Sequence, residues 1–334
     1  MNQREKIKSI LNLKGDGSHG TWIGDPVPET LDIYTKELDV EGLEGIQSYF
    51  DDDCRLLDVR SCFNDPDRNG IFDFGGGKEN SMYSFQLESI ETVAQVEALN
   101  FPDIKHFDFT GAFNKIDTWR DKAVFTGLWS PFFHDVSDLI GMEEYFVKMY
   151  TDPEFAQALT NRVVDFYAEA NNLFFTQLGD RADTFFFGND FGTQIGLLIS
   201  VDCFKKFMLP GIKRLIGTAK KHNKKVIVHS CGAIREIIPL LIDAGIDGLH
   251  PLQAKAAGMD AGSLFKEYGK DIAFMGGVDT QDLLVNATPP QVYDEVMRLR
   301  EILGNNFIVS PSHEGVLPNI PLDNIKAMYR AVRG

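Results

Sequence analysis

From residue 183 to the end, short apolar runs alternate with amphipathic stretches of helical length, a rhythm that few folds can accommodate. DTFFFG (183–188) precedes VDCFKKFMLPGIKRLIGTAKKHN, and KKVIVHSC (224–231) precedes AIREIIPLLIDAG, whose apolar residues recur every three or four positions. DGLHPL (247–252), SLFKEYGK, IAFMGGV (272–278), TPPQVYDEVMRLREILG, NFIVSPS (306–312) and LDNIKAMYRAV complete the series. Five strand–helix units in a row imply right-handed crossovers and a parallel sheet. In the first half TWIGD, CRLLDV and AVFTGLWS offer three more strands, making eight. Thr288 before Pro289-Pro290 reads as a helix start, and Gly245 and Gly304 read as helix ends. Eight such units predict an α/β fold, a single (β/α)8 TIM barrel spanning residues 1–334. The competitor, a doubly wound open sheet, would place a glycine-rich turn after its first strand. The dense glycine cluster FGGGKEN (74–80) lacks GxGxxG spacing and opens no evident helix, so the barrel is preferred.

Charge narrows the partners. With 33 Lys+Arg against 49 Asp+Glu the net charge is −16, which repels phosphate backbones and anionic membrane surfaces; neither nucleic acid nor membrane is expected as a partner. Cys54, Cys62, Cys203 and Cys231 are too sparse and uneven for a disulfide framework. The opening MNQREKIKSILNLKG carries charges every few residues and no apolar run of signal-peptide length. These features predict a soluble, cytoplasmic protein.

A barrel of this kind carries its chemistry at the carboxyl ends of its strands. Just past the predicted strands stand Asn189 and Asp190, His229, Ser230 and Cys231, His250, Asp279, and His313 and Glu314. The opposite ends show ordinary Gly, Asn and Lys turns. His229 and Cys231, two apart, project to one side of a strand end, with Ser230 facing away. Nitrogen and sulfur donors of this type suit tetrahedral zinc, and His313 or Glu314 can supply a third ligand. Asp190 and Asp279 each read either as helix caps or as carboxylates that act on a substrate. Asn189, His250 and Glu314 are expected to line the substrate, His250 as a wall residue, while Trp119 and Trp129 are candidate walls for a flat ligand. His19, His106, His134 and His222 receive no role.

The stretches FFFGNDFGTQIGLLIS, KKVIVHSCGAIREIIPLLIDAGIDGLHPLQ, FMGGVDTQDLL and SPSHEGVLPNIPLDNIKAM resemble the uroporphyrinogen decarboxylase superfamily, which also holds zinc-dependent, corrinoid-linked methyltransferases. The likeness is good over about residues 180–330 and loose over the first 130. It implies a single (β/α)8 barrel. Decarboxylases of the superfamily carry an N-terminal arginine motif of the form RQAGR that helps hold substrate carboxylates, yet no arginine occurs here between Arg4 and Arg55. The methyltransferase branch carries a His-x-Cys…Cys zinc motif; His229 and Cys231 match its first part, and His313 stands near the place of the final cysteine. Histidine there lowers the negative charge around the ion and makes it a stronger Lewis acid.

The resemblance therefore implies a zinc-dependent methyltransferase with His229, Cys231 and His313 on the metal and Asp190 and Asp279 orienting substrate. The methyl group would move between a methoxy or thiol heteroatom of a small-molecule donor or acceptor and a corrinoid cosubstrate on a separate carrier protein. Two alternatives remain: a decarboxylase of a tetrapyrrole or smaller acid, and a non-catalytic corrinoid- or tetrapyrrole-binding protein.

Overall fold

The computed structural model describes residues 1–64, 87, 89–253 and 255–334; the FGGGKEN cluster lies outside them. The alternating runs become eight parallel strands: β1 (Gly20–Thr21), β2 (Cys54–Asp58), β3 (Ala123–Gly127), β4 (Thr184–Gly188), β5 (Lys225–His229), β6 (Gly248–Leu252), β7 (Ala273–Val278) and β8 (Phe307–Pro311). Strands β2 to β8 pair in chain order, and β1 returns to pair with β8, so the sheet wraps into a barrel flanked by helices. From TWIGD only Gly20 and Thr21 form ladder, with Gly20 opposite Ile308. Thr288 caps the helix Pro289–Leu303 through a capping box with Gln291, and Gly245 and Gly304 end their helices as expected.

Strand alternation sorts the side chains. On β4, Phe185 and Phe187 pack outward beneath the helices, whereas Phe186 points into the lumen; on β5, Val226 and Val228 are outward and Ile227 inward. The lumen is filled by Trp22, Cys54, Phe125, Phe186, Ile227, Met275 and Ile308. Ile7, Ile10 and Leu11 of the helix Gln3–Leu11 join this cluster and close the end opposite the strand carboxyl termini. No helix among the described residues is long and apolar enough to cross a membrane.

The β1–β2 seam is joined differently from the ladders. Asp53 N donates to Thr21 O, but the remaining bonds come from carboxylates: Asp53 Oδ2 accepts from Thr21 N (2.8 Å) and Asp52 Oδ2 from Ile23 N (3.1 Å). Tyr329 of the final helix, Leu322–Arg333, donates to Asp52 Oδ1 at 2.7 Å, and Lys6 reaches Asp53 at 2.7 Å.

Candidate functional site

The parity that turns Ile227 inward also turns His229 inward and carries Cys231 to the same side at the barrel mouth. His229 is buried, and its Nε2 lies 3.4 Å from Cys231 Sγ and 3.1 Å from Asp190 Oδ1. The same Asp190 oxygen accepts the Cys231 N–H at 2.9 Å, so Asp190 orients the Cys231 loop instead of capping a helix. On the other edge of the ring, His229 Nδ1 lies 2.9 Å from His250 Nδ1 and 3.4 Å from Glu314 Oε2. Parallel pairing sets His229 opposite His250, which is why the two rings meet.

Three overlapping donor groups have ligand atoms within 4.8 Å of one another: Asp190, His229 and Cys231; His229, His250 and Glu314; and Cys231, His313 and Glu314. His313 is half exposed, and its Nδ1 accepts the Gly315 N–H at 2.9 Å. That bond leaves Nδ1 without a proton, so a neutral His313 ring carries its hydrogen on Nε2. Ligation through either nitrogen requires the Gly315 bond to give way, which makes His313 a less prepared donor than His229.

Asp279, just after β7, belongs to none of these groups. Its carboxylate accepts backbone N–H bonds from Gln281, Asp282 and Leu283 (3.2, 3.0 and 2.9 Å), a capping arrangement, and Lys255 stands 3.6 Å away. It lines a separate cavity of about 520 Å³ with Lys255, Asp282 and Glu295. The buried amide of Asn189 is also committed to backbone, accepting from Phe133 N at 2.8 Å and donating to Ser130 O at 3.3 Å. It thereby ties the loop after β3 to the end of β4.

The electrostatics follow the geometry. Burial alone would raise the Asp190 carboxyl, but the His229 hydrogen bond and charge, with the Cys231 N–H, hold it well below the usual range. Burial opposes charge on His229, yet Glu314, Asp190 and Cys231 outweigh it and push the imidazole well above its ordinary value. His250 is driven well below by burial and by the neighbouring His229 and His313. His313 is raised chiefly by its hydrogen bond to Cys231, and Asp25 is raised by burial and by the Glu314 charge.

Of the two candidate walls, Trp129 belongs to the site: its ring lies 5.2 Å from both His229 and Phe186. A Cβ at Gly188 would fall 2.6 Å from His229 Cβ and 2.8 Å from Trp129 Cζ2, so this packing needs glycine there. Trp119 lies elsewhere, its Nε1 donating to Glu44 at 2.8 Å. Sequence reasoning missed Gln253, whose Oε1 accepts the Gly232 N–H at 2.7 Å and steadies the Cys231 loop. It also missed that His134 feels the Asp190 charge, although burial keeps its imidazole below the ordinary value. Neither has a local sequence signal.

A profile of the uroporphyrinogen decarboxylase family matches residues 84–334. Over 186 residues the chain is 29% identical to a methylated-thiol–coenzyme M methyltransferase of Methanosarcina mazei. That alignment takes in 55% of this chain and 46% of the relative, so the chain spans about half the length of the curated relative it matches. A solved structure described as a methyltransferase from Methanosarcina mazei superposes with a TM-score of 0.73 at 16% identity, covering 99% of this chain and 98% of the other; this likeness concerns the fold. With the family profile extending over most of the chain, the chain belongs to the uroporphyrinogen decarboxylase family, a superfamily that takes in methyltransferases as well as decarboxylases.

Proposed function

We propose that this chain is a cytoplasmic, zinc-dependent methyltransferase that moves a methyl group between a thiol or methoxy substrate and a corrinoid held by a carrier protein. The observation that carries the reading is the buried His229 beside the half-buried Cys231, with Asp190 and Glu314 around them. Zinc at about 2.3 Å from sulfur and about 2.0 Å from nitrogen places two tetrahedral donors about 3.5 Å apart. His229 Nε2 and Cys231 Sγ are 3.4 Å apart. Glu314 Oε2, buried and without a hydrogen-bond partner among the described residues, is a further donor in search of a cation. The His229–Cys231 spacing fits the ion, whereas His229 and His313 fall in separate donor groups that share Cys231. The ion's ligands in this reading are His229, Cys231 and His313, with Asp190 or Glu314 in reserve.

Bound zinc supplies Lewis acidity at the substrate heteroatom, and the corrinoid supplies the other methyl-carrying atom. The chain does the rest. Trp129 and Phe186 give the mouth an apolar wall beside His229, which excludes water from that face of the imidazole. Asp190, held ionised, presents an acceptor to a substrate donor while fixing the Cys231 loop. Asp279 is proposed to orient substrate from the neighbouring rim, and Asn189 to hold the mouth in shape. The methylated-thiol–coenzyme M methyltransferase relative supplies the comparison for a substrate class.

Elemental analysis of protein purified without a histidine tag tests the metal, with one equivalent of zinc expected. Transfer of a methyl group between a methylated cobalamin and a thiol tests the activity. Metal affinity should fall as pH falls, because zinc must displace a proton that the raised His229 holds more firmly than an ordinary histidine. The expected slope is about tenfold per pH unit for each proton displaced; a flat profile removes His229 and Cys231 alike from the ligand set.

Decarboxylation of uroporphyrinogen is not expected. Residues 5–54 lack arginine, Arg55 is buried with its guanidinium on Glu44 and backbone carbonyls, and Arg60 pairs with Asp58 at 2.6 Å. A substrate bearing many carboxylates finds few free guanidinium partners near the N-terminal strands among the described residues. Formation of coproporphyrinogen in an anaerobic assay would overturn the preference for methyl transfer.

A further inference from the structure

Two buried imidazoles meet nitrogen to nitrogen at the floor of the mouth: His229 Nδ1 and His250 Nδ1, 2.9 Å apart. Exactly one proton can lie between them, so one ring donates and the other accepts. The surroundings of His250 decide which. Its Nε2 is buried without a hydrogen-bond partner among the described residues, as is Trp22 Nε1, so no bond joins those two atoms. A lone pair at His250 Nε2 would therefore find no donor. The imidazole is packed against the rings of Trp22 and Phe186, each with its centroid 5.4 Å from that of His250 and inclined at 67° and 77°, and aromatic rings can serve an N–H as weak acceptors but offer nothing to a lone pair. His250 thus carries its hydrogen on Nε2 and keeps a lone pair on Nδ1.

We infer that His250 is a positioning residue: its Nδ1 accepts the His229 Nδ1–H and fixes the tautomer in which His229 Nε2 serves Cys231 and Asp190. Glu314 Oε2, 3.4 Å from the same Nδ1, is the other group facing that hydrogen and reinforces the direction of donation. A histidine in the lumen of a barrel, where Ile227 and Met275 stand on the neighbouring strands, would otherwise be an expensive choice. A ligand ring held from behind keeps its donor atom aimed, and loss of such support typically weakens metal binding 10- to 100-fold. This inference rests on the metal reading for its purpose and on the histidine geometry for its evidence.

The test uses the full chain labelled with ¹⁵N-histidine. Two-bond ¹⁵N–¹H couplings should show hydrogen on Nε2 of His250 and on Nδ1 of His229, with the His250→Asn variant assigning the signals. Zinc affinity is then read by chelator competition. His250→Leu should bind zinc about 10- to 100-fold more weakly, whereas His250→Asn, whose side-chain oxygen can stand in for Nδ1, should stay near the parent. Hydrogen on Nδ1 of His250, or parental zinc affinity in a folded His250→Leu variant, overturns the inference. A parent that takes up no zinc sinks the metal reading instead, and the couplings of the metal-free protein still decide this one.

Discussion

Under the proposed zinc reading, replacing Cys231 with serine should abolish most of the zinc uptake. Four ligands share about 10–16 kcal/mol of binding free energy in structural sites, so losing one thiolate costs about 3 kcal/mol, more than a hundredfold in affinity. Serine keeps the shape, but its hydroxyl ionises far less readily than a thiol and is a poor match for zinc. Two further variants calibrate the result. His313→Ala should weaken binding less, since His313 is already engaged with the Gly315 N–H and Glu314 stands beside it. Ser230→Ala should leave the metal content alone, because the buried Ser230 hydroxyl faces the opposite way and accepts the Phe191 N–H at 3.1 Å. That change should appear as about 1–3 kcal/mol of lost stability from the unpaired N–H. One full equivalent of zinc in Cys231→Ser would show that the cysteine is not a ligand.

The second large effect is expected one residue further on. At Gly232 the backbone has φ +86°, and a Cβ would stand 2.4 Å from Gly192 C and O and 2.7 Å from Thr193 O. Every one of these atoms is main chain, so the loop after β5 and the loop after β4 would have to separate. Ala233 N donates to Thr193 O across the same contact, and Asp190 reaches Cys231 N beside it. Gly232→Ala combines left-handed strain of about 1–3 kcal/mol with that separation, so a loss of several kcal/mol is expected. Denaturant unfolding should report the loss, and chelator competition should show weakened zinc binding in whatever fraction stays folded. Gly196→Ala, with nothing within 4 Å of its added Cβ, is the control and should be near neutral. Parental stability and metal affinity in Gly232→Ala would mean that the two loops are not locked together.

How much of this could be read from the chain depended on where each signal lives. Strands β4 to β8 were legible because parallel strands covered on both faces read as continuous apolar runs, and TFFFG or KVIVH cannot be mistaken for turns. β1 was hard to delimit because two residues of ladder, Gly20–Thr21, leave almost no pattern. The i, i+2 spacing put His229 and Cys231 on one side, and the backbone agrees. The contact between His229 and His250 was not legible, since it depends on β5–β6 register, which no local spacing encodes. Nor could the sequence choose between the two readings of Asp190 and Asp279. Asp190 lies against His229 and Cys231, whereas Asp279 spends its oxygens on three backbone N–H groups, and the difference arises from which loop folds back.

The carboxylate seam between β1 and β2 gives the barrel a direction of weakness. At every other joint the neighbouring strands are registered as a parallel ladder, but here one main-chain bond and a few side-chain bonds hold the joint. Thermal breathing should therefore open the cylinder as a cuff opens at its clasp, along a line that begins beside Trp22 in the lumen. Tyr329 and Lys6 fasten that clasp from the final and first helices, so the ends of the chain govern how often the interior is exposed to solvent.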